Sequence, residues 1–368
     1  MKINKRSILT GMSMFLILML TYCKKDPETT QTTNEVKYDA TLYNFQPGPF
    51  PMPDFRDNPP TVEGVKLGRM LFYEKMMSKD GSISCGSCHL QSNGFTDTSR
   101  FSKGVGGSLG DRQAMTVFNT AWHNNEFFWD GRAHLLRDQS LQPIENPVEM
   151  AETHESVIAK LSANQMYRDQ FKRAFDSEEI TEEKMSLAME QFMNTIVSNK
   201  SKYDKYKAGQ VTLTASEERG RELFFLEYNE FLPDHSGADC AHCHAGFNFS
   251  NDQYMNNGLD GAGMHQDKGR EKVTNNPMDR GKFKVPSLRN IELTAPYMHD
   301  GRFKTLEEVI DHYNSGVKES PSLDPAIRPT MSTGLRLSAQ DKADLIAFLK
   351  TLTDPTIATD ERFSDPFK

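Results

Sequence analysis

Cysteine is scarce in this sequence. There are five in 368 residues, and once Cys85, Cys88, Cys240 and Cys243 are assigned to two close pairs and Cys23 to the N-terminal segment, no thiol is left over. Positive charge is also short, with 43 Lys and Arg against 51 Asp and Glu and a formal net charge of −8. That balance argues against a nucleic-acid partner and leaves room for a basic protein partner. No apolar run is long enough for a comfortable membrane span; the most apolar one, residues 8–20, is too short. Few segments alternate between apolar and polar as strands do, so the expected fold is mostly α.

What is present begins with an export signal. Lys2, Lys5 and Arg6 precede the short apolar run, which ends in "LTYC". This predicts a signal peptide over 1–22 and a lipidated Cys23, although Tyr22 is bulkier than usual before such a cysteine. The polar, Thr-rich stretch that follows predicts a flexible tether over 23–53. The location expected is periplasmic, with the membrane reached only through the lipid. The remaining length suits two domains. A break at "KAGQVTLT" divides them into 54–207 and 208–368.

The two halves carry a diverged repeat. "VKLGRMLFYE" precedes "CGSCH" in the first, and "ERGRELFFLE" precedes "CAHCH" in the second. Each reads as a short amphipathic helix leading into Cys-x-x-Cys-His. A four-Cys zinc site would have to join pairs that lie 155 positions apart (85 to 240), and it gives the adjacent histidines no role. A redox disulfide needs a strand-helix context that neither motif has. Covalent attachment of c-type haem accounts for both cysteines and the histidine of each motif, six residues in all. The thiols anchor the porphyrin as thioethers, and His89 and His244 fall beneath the iron as axial ligands. The expectation is two c-type cytochrome-like domains, each wrapped around one haem c. Long irregular stretches around 93–111 and 251–283 fit chain wrapped around a cofactor.

Further strings, "GFTD", "FWDGRA", "NPVEM" and "VPSLRNIELTAPYMHDGRF", make the chain resemble the bacterial di-haem cytochrome c peroxidase and MauG family over roughly 59–354. The resemblance implies roles for particular residues. Glu149 becomes the acid-base group over the first haem, able to move a proton between the two oxygens of peroxide. Gln139 becomes its hydrogen-bonding neighbour, and Trp129 an electron relay between the haems. Outside such a match, an isolated Glu is usually a solvated surface group and an isolated Trp usually a core residue. His299, in "PYMHDG", is expected to support the haem interface. Calcium between the domains is also implied, on the Gln113 side chain and the carbonyls of Thr294 and Pro296. A homodimer is implied by analogy alone.

The sequence departs from that pattern in two places. No His occurs between His89 and His123, and the loop position that supplies a closing ligand in many family peroxidases is Val105 here. The first haem is therefore expected to be open, high-spin and active without prior reduction. The position that holds a Met ligand to the second haem in the peroxidases is Tyr313, as in MauG, with His312 and Met331 as rivals. The function expected is reduction of hydrogen peroxide to water with electrons from a small donor, a cytochrome c or a cupredoxin. The alternatives are MauG-like oxidation of a protein or small-molecule substrate and, in another class, a non-catalytic di-haem electron carrier. A carrier has no use for Glu149 or Gln139.

Overall fold

The computed structural model describes residues 35–368, and from Val36 onward the chain forms one compact unit. Cys23 and the expected signal peptide lie outside the described residues. The fold is mostly helical. Its helices are α1 (Val62–Tyr73), α2 (Cys85–Cys88), α3 (Leu136–Glu145), α4 (His154–Ser162), α5 (Gln165–Phe175), α6 (Glu182–Thr195), α7 (Lys202–Lys207), α8 (Ala215–Phe225), α9 (Glu271–Thr274), α10 (Leu306–Asp311), α11 (Thr330–Thr333) and α12 (Ala339–Lys350). Among the described residues the only sheet is a two-stranded antiparallel one, β1 (Tyr254–Met255) with β2 (Phe283–Lys284). No described helix is long and apolar enough to cross a membrane.

Two hydrophobic cores form, and the sequence repeat is the reason they look alike. In the first, α1 crosses α6 at Gly68, where a β-carbon would stand 1.9 Å from the Ala188 carbonyl oxygen. In the second, α8 crosses α12 at Gly220, where a β-carbon would stand 1.9 Å from the Asp344 carbonyl oxygen. The glycine of each "Gly-Arg-x-Leu-Phe" is thus the point where two helix backbones touch. Four residues on, Phe72 meets Phe192 edge-on at 5.5 Å and Phe224 meets Phe348 at 5.2 Å. N-caps fix where these helices begin: Thr61 accepts from Gly64 N, Thr214 from Glu217 N and Ser338 from Asp341 N.

The packing moves the edges of the expected segments. The first core gathers residues between Val65 and Ile196, and also Ile357 and Phe363 from the C-terminal end. Tyr73 Oη donates to the Phe363 carbonyl (2.7 Å) and Arg69 Nε to that of Ser364 (2.6 Å), so the tail belongs to the first half. Conversely α7, before the expected break, sends Tyr203 against Phe348 in the second core. The expected tether is not free over its later part. Tyr43 N donates to the Pro60 carbonyl, and Phe50 is buried against Phe247 and under the Arg289 guanidinium. Apolar residues inside "ATLYNFQPGPF" supply the burial that a polar, Thr-rich reading overlooked.

Candidate functional site

Each Cys-x-x-Cys-His is built the same way. α2 carries Cys85 and Cys88, and the chain after it bends so that the carbonyl of Phe95 meets His89 Nδ1 at 3.1 Å. In the second half His244 Nδ1 meets the carbonyls of Phe249 and Pro286, both at 3.2 Å. Phe95 (φ 60) and Phe249 (φ 50) both adopt the left-handed conformation, which is unfavourable for a bulky residue and turns their carbonyls to the rings. With Nδ1 committed to a carbonyl, Nε2 of each ring is the nitrogen left to bind a metal, the usual way a protein orients a histidine ligand. Burial holds His89 below its usual pKa and brings His244 to about 4, so both rings are neutral, as ligation requires.

None of the four motif cysteines is in a disulfide. Burial pushes Cys85, Cys240 and Cys243 up to about 12 and Cys88 up to about 11, opposite to the lowered values of redox or metal-binding thiols. No group of three or more His, Cys, Asp and Glu able to hold a metal gathers among the described residues.

Around the second motif lies a cleft enclosing about 1480 Å³, mouth included, with walls that include Cys240, Cys243, His244, Trp129, Met298 and Tyr313. Its predominantly apolar walls, anchoring thiols and oriented imidazole suit a porphyrin. Of the three residues weighed as sixth ligand, Tyr313 lies on this wall, while His312 and Met331 do not. A π-helical turn over His312–Gly316, continuing α10, carries Tyr313. Its hydroxyl accepts from Asn257 Nδ2 at 3.2 Å, and burial pushes the phenol up to about 12. His312 is buried instead against Phe303 and bonded through Nε2 to the Asn257 carbonyl (3.1 Å). Asn257 and Met298 escaped sequence reasoning, because they sit in irregular chain with no periodic pattern.

Trp129 joins this wall to the first half. Its indole N–H donates to the Gln113 carbonyl at 2.8 Å, and its own carbonyl accepts from Lys284 N at 2.8 Å. Gln113 N donates to the His299 carbonyl, also at 2.8 Å, and the His299 ring stacks on Phe283 at 3.6 Å. "FFWDGRA" and "YMHDGRF" form matching turns, each closed by a bridge (Phe127 with Ala133, Tyr297 with Phe303), so Trp129 and His299 are equivalent positions of the repeat. Beside them, Asp252 accepts from His123 Nδ1 (2.7 Å), from the backbone of Asn124 and Asn125, and from Lys284 Nζ (2.5 Å), binding the halves together.

Three comparisons bear on this arrangement. The family model described as di-haem cytochrome c peroxidase matches residues 62–212. The cytochrome c551 peroxidase of Nitrosomonas europaea is 36% identical over 80% of this chain and 81% of that protein, and the methylamine utilization protein MauG of Methylorubrum extorquens is 35% identical over 90% of each. The chain belongs to the di-haem cytochrome c peroxidase and MauG family. Among solved structures, a MauG-like protein associated with microbial copper homeostasis superposes with a TM-score of 0.77 at 36% identity, covering 90% of this chain and 100% of that one. Membership makes the protein an oxidoreductase and implies two c-type haems, which the two Cys-x-x-Cys-His sites fit.

The remaining expected residues of this family member lie as follows. Glu149 is largely buried just after α3, and its charge is felt at both Cys85 and Cys88. Asn146 Nδ2 donates to its Oε1 at 2.6 Å. Burial raises the Glu149 carboxyl, and Asp111 adds to that, against the opposing pull of Arg132 and Asn146. Val105 N donates to the Glu149 carbonyl at 2.8 Å, so the loop without histidine packs directly on the acid. Gln139 is partly buried on α3, and its side chain makes no hydrogen bond among the described residues. Gln113 uses its amide N–H groups on Thr96 Oγ1 (2.8 Å) and the Asp97 carbonyl (3.1 Å). With the Thr294 and Pro296 carbonyls it offers three neutral oxygens and no carboxylate, a poor match for the oxygen-rich, usually acidic shell of calcium.

Proposed function

We propose that the protein is a di-haem c-type peroxidase that reduces hydrogen peroxide to water with electrons from a small redox protein. The observation that most supports this reading is the bonding of Trp129. One aromatic ring hangs on the carbonyl of Gln113 in the first half and lines the cleft of Cys240, Cys243 and His244 in the second. Bound haem iron supplies the redox chemistry, delivering two electrons to peroxide as two protons complete two waters. The chain's own residues do the rest. His89 and His244, each held through Nδ1, would hold the haem irons through Nε2. Glu149 would take the proton from the near peroxide oxygen and return it to the far one, and burial, which raises its carboxyl, favours the return of the proton it has taken. Asn146 fixes one carboxylate oxygen of Glu149. Gln139 offers a free amide for a hydrogen bond to the bound oxygens. Val105 offers no metal-binding side chain where a second ligand to the first haem would come from, and Tyr313, on the wall of the second cleft, would supply one to the other haem. Calcium has no part in this scheme. Export and anchoring through Cys23 would place the enzyme in the periplasm, facing a soluble donor.

A MauG-like oxidation is the second reading, and Tyr313 on the cleft wall favours it. The two separate in one experiment: steady-state peroxide reduction by the oxidised holoprotein without prior reduction, followed optically. Rapid oxidation of reduced cytochrome c from a resting state with one high-spin haem supports the peroxidase. Slow cytochrome oxidation with long-lived oxidised haem signals would give the chain to the second reading, and two low-spin resting haems would remove the open first site.

A further inference from the structure

The segment that leads into the second motif carries an unusual surface. Phe231 is 83% exposed and Leu232 56%, with Leu226 and Phe225 beside them at 43% and 40%. Scattered exposed apolar residues are ordinary, but four in eight positions are not. Nor is this loose chain. Gly237 N bonds to the Glu227 carbonyl (2.9 Å) and Asp239 N to that of Leu226 (3.0 Å), closing a knuckle. At its tip Asn229 Oδ1 accepts from the backbone of both Phe231 and Leu232 at 3.0 Å, and Arg336 Nη1 donates to the Glu230 carbonyl at 3.2 Å. The aromatic tip is held outward by built hydrogen bonds.

Charge says what covers it. Residues 222–245 contain five carboxylates (Glu222, Glu227, Glu230, Asp234 and Asp239) and no Lys or Arg. Among the described residues Glu222, Glu227, Glu230 and Asp234 make no ion pair, and Asp239 faces only His242, at 4.0 Å. The same segment rims the second cleft, where Tyr228, Ala238, Asp239 and His242 lie on the wall. We propose that this knuckle is the docking face for the electron donor, and that the donor is a small basic redox protein whose lysines ring an apolar centre. The inference rests on the peroxidase reading above and adds to it the face and the partner's charge. An anionic membrane surface is repelled by these carboxylates. A second copy meeting this face about a two-fold axis sets acid against acid. A basic partner gains steering from these unpaired carboxylates and contact area from Phe231 and Leu232.

The test is titration calorimetry of the holoprotein with a basic, lysine-ringed monohaem cytochrome c, and with an acidic cupredoxin as the control. The wild type binds the cytochrome and not the cupredoxin, and its Kd weakens about tenfold between about 20 and about 200 mM salt as surface charges are screened. Phe231→Ser with Leu232→Ser weakens binding at least about tenfold at both salts. Glu227→Lys with Glu230→Lys and Asp234→Lys abolishes cytochrome binding and confers binding of the cupredoxin. All these positions are surface loop, and unchanged haem spectra and thermal midpoints verify the fold. No binding of the cytochrome by wild type, an unchanged Kd in both variants, or a wild-type dimer dispersed by the serine variant each overturns the proposal. Peroxide turnover with a small-molecule reductant bypasses this face. Such turnover together with cytochrome binding unchanged in both variants fails the docking inference alone, and docking mapped by the variants without any such turnover fails the peroxidase reading alone.

Discussion

The indole N–H of Trp129 donates to the carbonyl of Gln113, and the amide N–H of Gln113 donates to the carbonyl of His299. Two equivalent turns of the repeat are thereby tied to one residue lying between them. Trp129→Phe keeps a ring but cuts this tie. It is expected to cost about 1 kcal/mol, the net worth of one hydrogen bond, with the Gln113 carbonyl left unsatisfied. Electron passage from the second half should slow at the same time. Stopped-flow reoxidation after mixing with peroxide checks this, and an unchanged rate with unchanged stability would take Trp129 out of the relay.

Glu149→Gln is expected to lower peroxide turnover by about 10²–10⁴-fold, the usual contribution of a positioned acid-base group. The wild-type pH profile should show an acid limb set by the raised carboxyl, with activity lost as pH falls through its pKa and Glu149 becomes protonated. The variant should lack that limb. The sign for stability is opposite. Folding raises this pKa, so the ionised carboxylate is disfavoured in the native state, and Glu149→Gln should raise the thermal midpoint at neutral pH. A variant that is both slower and less stable would contradict this account of the site.

Tyr313→Phe removes the one rival for the sixth position that lies on the cleft wall. The near-infrared and visible bands of the second haem should shift while those of the first stay fixed. His312→Phe and Met331→Leu should leave both sets unchanged. Movement of the bands in either of those variants, and not in Tyr313→Phe, would reassign the ligand.

Asp252 holds the halves together through His123 and the backbone of Asn124 and Asn125, and pairs with Lys284 of its own half. Burial alone would raise its pKa, but His123 and then Lys284 outweigh that and hold it at about 2. Its contribution to stability is therefore present above the usual carboxylate range and lost only as pH falls from about 4 toward 2. Asp252→Asn should cost about 3 kcal/mol, because it leaves the Lys284 ammonium buried without a counter-charge. Acid unfolding of wild type and variant, compared by circular dichroism, measures both.

Much of this arrangement was legible in the sequence, for a physical reason. Covalent haem attachment demands fixed spacing, so Cys85, Cys88, His89 and their twins announce themselves. The repeat that carries Gly68 and Gly220 was equally visible, but that these glycines are where helices cross emerges only from the packing. Tertiary partners left no such signal. Asn257, Met298 and Lys284 come from irregular chain or a two-residue strand, where nothing periodic marks which side faces inward. The segment over 41–53 was misjudged for a related reason. The polar, Thr-rich chain before it set the reading for the whole stretch, although Leu42, Tyr43, Phe45 and the buried Phe50 lie within it.

The return of the last residues to the first half has a consequence for how the protein is made. Ile357 and Phe363 complete a core whose other members were all synthesised more than 150 residues earlier, counting from Ile196 to Ile357. A chain made from its N-terminus delivers that closing piece last, so the half that carries the first motif keeps an unfinished core until the C-terminal residues have been made.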